Sequence, residues 1–205
     1  MTADSEPTGT GADVEVDGDD IPDWDDEYVD RVSDRLMYNY DLEKDRREDG
    51  VAFTLYGRMR VHNQKHFLHP SVKFAEHDAT EHLFVRRVDA VKRADLERIV
   101  DLGHDLADSW IDADEEHFST DFTFGVIADS IPADVREFVS GFKERTLLRY
   151  GFNGHYEVNL FVVAPSEEEV VASESAEVAE AFALWDPIER EEPGLWDLIR
   201  RRFQL

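Results

Sequence analysis

The longest run of strict alternation in the chain is Val51–His62. Val51, Phe53, Leu55, Gly57, Met59 and Val61 point one way, and Thr54, Tyr56, Arg58, Arg60 and His62 the other. Period two over twelve residues predicts a half-buried strand. Upstream, Trp24, Tyr28, Val32, Leu36 and Tyr40 recur at every fourth position. That spacing predicts an amphipathic helix from an N-cap at Asp23 to about Asn39, followed by a charged turn over Glu43–Gly50. Downstream, a second strand is expected at about Phe67–Phe74 and a third at about Glu81–Val88. Pairing His62 with Phe67 keeps Leu68, Val72 and Phe74 on the core face and sets Arg60 opposite His69, Arg58 opposite Ser71 and Tyr56 opposite Lys73. The register with His62 opposite His66 would instead bury His69 and Lys73, because a slip of one residue reverses every side chain.

The pattern then changes period. Leu96, Ile99, Val100, Gly103, Leu106, Ala107 and Trp110 mark one side of a helix over about Arg93–Ile111. His117–Asp129 alternates again, and Ser130-Ile131-Pro132 opens a third helix whose stripe is Val135, Phe138, Val139 and Phe142. His155–Ala164 ends in Leu160–Ala164, apolar on both faces and suited to a central strand. Ser166 and Glu169 form a capping-box pattern before an acidic, Ala-rich segment, and Gly194–Phe203 reads as a short C-terminal helix. The order α-βββ-α-β-α-β-α predicts an α+β fold: a mainly antiparallel five-stranded sheet with helices packed on one face. Residues 1–20 hold almost nothing to bury and read as a disordered acidic tail. Residues 21–165 read as a single domain, and 166–205 as an acidic segment and helix packed on it or tethered to it.

Charge changes this picture in one place. The formal net charge is −26, from 48 acidic and 22 basic residues, of which 17 are Arg. Hydrated carboxylates over the whole surface point to a cytoplasm of molar salt, where the Debye length falls to roughly 3 Å and self-repulsion is screened. Yet Gly50–Ala75 contains no Asp or Glu, and residues 51–93 carry a net +4. Cysteine is absent, which excludes disulfides, thiolate metal sites and thiol nucleophiles. The N-terminal stretch lacks the basic and apolar regions of a secretory signal, and no apolar run is long enough to span a membrane, so a cytoplasmic protein is expected.

Three constellations follow. The outward face of the expected three-strand meander bears Tyr56, Arg58, Arg60, His62, Phe67, His69, Lys73, His82, Phe84 and Arg86. Of these, Tyr56, Arg58, Arg60, His62, His69, Lys73 and Arg86 form the candidate ligand-binding set. Guanidinium forks bind phosphate or carboxylate bidentately, and basic residues interleaved with aromatics suit a stacked base. The other reading has helices or the acidic tail covering this face and pairing with its arginines. The second constellation, His62, His66 and His69, has a metal-like spacing but no acidic ligand beside it, so no metal and no cofactor is expected. The third sets His117, Ser119 and Asp121 on one late strand against His155, Glu157 and Asn159 on another, the minimum for general acid–base chemistry. Phosphate loops, nucleophile elbows and zincin motifs are missing from the sequence.

The element order resembles the core of the PD-(D/E)XK nucleases, which require an acid on the second strand and acid-x-Lys on the third. The expected second strand has no acid, and Glu81-His82-Leu83 has no Lys. With further β and α elements the order also resembles the acidic type III secretion chaperones, apart from the helix between the last two strands. More specifically, DWDDEYVDRVSDRLMYNYDLEKDR (Asp23–Arg46), LYGRMRVHNQKHFLHPSVKFAEH, DFTFGVIADSIP and YGFNGHYEVNLFVVAP resemble a family of uncharacterised conserved haloarchaeal proteins over roughly residues 21–185. That resemblance implies a salt-adapted cytoplasmic lineage and carries no activity. The expectation is a non-enzymatic binding or interaction domain using the Arg- and His-bearing face, with an anionic ligand or a protein as partner and no membrane. The alternative is an enzyme or binder acting on a phosphorylated or nucleic-acid ligand.

Overall fold

The computed structural model describes residues 22–63, 77–112, 114 and 117–186. Helix α1 is Glu27–Leu36, and its N-cap is Asp26 rather than Asp23: the Asp26 carboxylate accepts from the Tyr28 and Val29 amides. Glu27 and Asp30 sit in the first turn and Arg35 in the last, each at the helix end whose dipole favours its charge. The stretch expected to be a charged turn is strand β1, Asp41–Glu48, joined to β2, Val51–Asn63, by the two-residue turn Asp49-Gly50. Both turn residues have positive φ, 46° and 82°, the conformation a tight hairpin needs and Asp-Gly supplies. Strand β3 is His77–Arg87, and it pairs directly with β2: Arg60 lies opposite Thr80 and His62 opposite Asp78. The expected strand Phe67–Phe74, with His66, His69 and Lys73, lies outside the described residues, as does the expected helix at Gly194–Phe203.

Helix α2 (Arg93–Trp110) leads to β4 (His117–Ile127), and α3 (Ala133–Ser140) precedes β5 (Glu144–Leu147) and β6 (His155–Ala164). Where a helix was possible after Ser166 there is a short 3-10 turn and then β7, Glu169–Ala172, followed by a 3-10 segment at Glu177–Phe182. The sheet therefore has seven strands and is mixed, not five-stranded and mainly antiparallel. Its order is β1-β2-β3-β4-β6-β5, with β7 also on β6. β3, β4 and β6 are parallel neighbours because α2 and α3 cross over between them; the outer pairs are antiparallel.

Helices cover both faces, which corrects the one-sided arrangement. On one face α2 and α3 set Leu96, Ile99, Leu106, Val135 and Val139 against Phe84, Phe124, Val158 and Leu160. On the other, α1 and the Glu177–Phe182 segment set Val29, Val32, Leu36 and Phe182 against Leu55, Leu83, Ile127 and Phe161. Two apolar faces explain why β6 ends in the continuous hydrophobic run Leu160–Ala164. Gly125 on β4 is fixed by this packing, since a Cβ there would come within 2.2 Å of the Phe161 ring.

The alternation of β2 is broken once. Phe53 packs with Phe84 and Phe124 on the α2 side, at ring separations of 5.1 and 6.1 Å, whereas Leu55 belongs to the opposite core. Opposite this point the β1 register passes from Lys44↔Leu55 to Arg46↔Phe53 across Asp45, whose φ is +56°. The switch turns Arg46 of β1 toward Tyr56, and it is what builds the site.

Candidate functional site

The face of β2 expected to be polar is roofed along part of its length and open beyond it. Tyr56 is 5% exposed and Phe84 fully buried, both beneath α2. Further along β2, Arg58 is half-exposed and Arg60 exposed. Where the roof ends, a pocket of about 360 Å³ opens, lined by Asp41, Leu42, Glu43 and Arg46 of β1, Tyr56 and Arg58 of β2, His82 of β3 and Trp110 at the end of α2.

His82 is the hub. Its ring stacks on Phe122 at 5.4 Å and meets the Trp110 ring edge-on at 5.0 Å. Burial, then the neighbouring Arg58, Arg46 and Arg60 guanidinium groups, push its pKa down to about 4, so the imidazole is neutral near pH 7. Its Nδ1 lies 2.8 Å from Tyr56 Oη. The Tyr56 phenol is itself held above its ordinary pKa by burial, outweighing Arg46 and Arg58. The phenol therefore donates, Nδ1 accepts, and the ring proton stands on Nε2.

Arg46 lies over the Tyr56 ring at 4.0 Å and 5.3 Å from that of Trp110. It is held there by Glu48 at 2.7 Å and Glu43 at 2.8 Å. Burial opposes its charge, but the Glu48 hydrogen bond and the nearby anionic groups win and raise its pKa. Arg46 is thus clasped between two of the protein's own carboxylates. Arg58 is not: its ion pair to Asp41 is stretched to 3.5 Å, and its buried Nε has no hydrogen-bond partner.

Of the candidate set, the fold brings Tyr56 and Arg58 together here and adds His82 from the wider meander face. Arg60 lies beyond the lining residues, although His82 senses its charge. Arg86 is half-buried on β3, four residues from His82, and does not line the pocket. His62 is placed by its backbone pairing alone. His69 and Lys73 lie outside the described residues. Sequence reasoning does not reach Asp41, Glu43, Arg46 and Trp110: the charge of Glu43–Gly50 predicts a turn, and Trp110 falls on the apolar stripe of its helix. The Asp49-Gly50 turn was the available signal.

The late-strand constellation does assemble, on the opposite face. β4 and β6 are in register, with Ser119↔His155, Asp121↔Glu157 and Thr123↔Asn159, and Glu81 of β3 joins the Asp121 row. Its centre is closed, with Asp121 3% exposed, Asn159 4% and Thr123 fully buried, while His155 and Glu157 are half-buried. Thr123 Oγ1 donates to Glu81 Oε1 at 3.1 Å. His117 donates Nδ1–H to the Asn153 carbonyl at 2.8 Å, and its Nε2 lies 2.9 Å from Thr120 Oγ1. His155 Nδ1 accepts from Arg145 at 3.3 Å while its Nε2 stands 3.6 Å from Glu157. These bonds fix strand ends. Among the described residues no three His, Asp or Glu side chains gather into a metal-binding group, and no helix is long and apolar enough to cross a membrane.

Neither the curated proteins nor the solved structures contain a match to the chain. One family model does match, over residues 25–184, which takes in every element from α1 to the Glu177–Phe182 segment and the whole lining of the pocket. The chain belongs to the family described as Domain of unknown function (DUF8052).

Proposed function

We propose that the protein is a binding domain whose pocket at the end of the α2 roof takes a small ligand through a carboxylate or phosphate group. The observation that supports this reading is Arg58. It lines a pocket large enough for a small molecule, its ion pair is long, and its Nε is a buried donor without an acceptor. A neutral His82 presenting Nε2–H adds a second donor, and the Trp110 ring gives the pocket an apolar wall. Arg46, clasped by Glu43 and Glu48, shapes this wall. The contact is short-ranged and bidentate, so it survives salt that would erase a long-range field.

Binding is read by calorimetry and thermal melting of the full chain against inorganic phosphate, pyrophosphate and citrate, at low and at molar KCl. Wild type is expected to melt higher with at least one of the three. Arg58→Ala should melt as wild type without ligand and lose roughly tenfold or more in affinity, because a charge-assisted bond is worth about 1.5–3 kcal/mol. An anion beside His82 favours its protonation, so affinity for sulfate, whose charge is constant here, should rise as pH falls from about 6 toward 4. The absence of a shift with every anion at both salt concentrations would sink the proposal.

A further inference from the structure

The end of the sheet away from the pocket carries a different anomaly. β5 has four residues and pairs with β6; among the described residues no strand pairs with its other edge. Its two charges are engaged within the molecule: Glu144 meets His104 at 3.1 Å, and Arg145 meets Glu157 at 3.7 Å. The chain then turns through three consecutive left-handed residues, Arg149 (φ 43°), Tyr150 (φ 60°) and Gly151 (φ 88°). For the first two, which carry a Cβ, this conformation costs about 1–2 kcal/mol each. The result is an apolar tip: Leu147 is 58% exposed, Tyr150 97% and Phe152 86%.

This tip is also where the acid is missing. Residues 141–156 hold Lys143, Arg145 and Arg149 against Glu144 alone, a net +2, leaving −28 on the rest of the chain. The opposite edge of the sheet is guarded. Seven of the eight residues of β1 are charged, and the left-handed Asp45 interrupts its line, both devices that prevent strand-to-strand pairing. β5 is short and carries two charges, but both are engaged within the molecule and no left-handed residue interrupts its line.

From this contrast we propose that β5 and the Leu147–Phe152 tip form a self-association surface whose occupant is a second copy of this chain. A two-fold axis at β5 sets the strand antiparallel to its own copy, continues the sheet and buries the apolar tip. Two bodies of −26 repel over most of their surfaces, and this is a place where they meet with one carboxylate each, Glu144, already paired with His104. Screening removes the remaining repulsion, so association strengthens with salt.

The test is light scattering or sedimentation of the full chain over a concentration series in 0.1 M and 2 M KCl (roughly 3-fold different in Debye length or more). A dimer fraction that grows with salt is expected. The Leu147→Glu/Phe152→Asp double variant should weaken the dimer by roughly tenfold or more while keeping the wild-type melting temperature. Arg47→Glu on the guarded edge should leave it unchanged. A chain that stays monomeric at every concentration in 2 M KCl overturns the proposal, as does a dimer indifferent to the tip variant. A monomer that binds single-stranded RNA or anionic vesicles through the tip would assign that surface to those partners and overturn it too.

Discussion

Glu81 and His82 are neighbours on β3, and they face opposite sides of the sheet. On the Glu81 side, carboxylate, amide and hydroxyl groups of three strands are packed away from water. On the His82 side, an imidazole, a phenol and two guanidinium groups are packed beside a pocket that stays open. The two sides pay for buried polarity differently. The closed side pairs carboxylate with hydroxyl, as Glu81 with Thr123, and seals its unpaired donor, Asn159 Nδ2, away from solvent. The half-open side discharges one group, keeping His82 neutral, and leaves another, Arg58, short of partners. Pairing makes architecture; an unmatched donor at the edge of solvent makes a place for a ligand.

The largest effect should come from acid. His82 is held neutral in the fold, with a pKa near 4 against about 6.5 unfolded. Below pH 6.5 the unfolded chain takes a proton that the native chain refuses. Stability is therefore complete above pH 6.5 and falls as pH drops toward 4, by about 3 kcal/mol from this group. His82→Phe should remove that part, seen as a shallower fall in urea midpoint between pH 6.5 and 4 than wild type shows. On the closed side, Thr123→Val strips the Glu81 carboxylate of a buried donor and should cost about 1.5–3 kcal/mol at pH 7, measured by chemical denaturation. Equal costs for Thr123→Val and for a solvent-facing Thr would break the contrast between the sides. Arg46→Met keeps the stem but loses the stacking on Tyr56 and Trp110, and about 1 kcal/mol should go with it. Arg58→Ala should change stability least, within about 0.5 kcal/mol, because its ion pair is exposed and long. If instead it destabilised as much as Thr123→Val, Arg58 would belong to the architecture and the contrast would fail.

Much of the frame could be read from the apolar pattern, because α2 and β4 each show one clear period over ten residues or more and β6 ends in a run apolar on both faces. β1 could not be read that way. DLEKDRRE has one apolar residue, so its half-buried alternation leaves no hydrophobic trace, and its charge predicts a turn. The switch at Asp45 was equally silent, since Phe53 and Leu55 look alike in sequence and yet belong to different cores. Tyr56 and Arg58 were visible in the alternation of β2. Their partners Arg46 and Trp110 come from segments distant in the chain, and only the fold shows that they meet. β5 and β7, four residues each, are too short to show a period at all.

The parallel seam of β3, β4 and β6 has a consequence in time. Its strands cannot join until α2 and α3 have crossed over, whereas β1 and β2 are linked by a two-residue turn and pair locally. We predict that amides of the seam exchange with deuterium only when the whole chain unfolds, while those of β1 exchange through local opening. The pocket would then have one fixed wall, His82 and Trp110, and one breathing wall, Asp41 to Arg46. Deuterium uptake at β1 as slow as that in β4 would refute this. A ligand could thus enter by loosening the edge strand alone, leaving both cores shut.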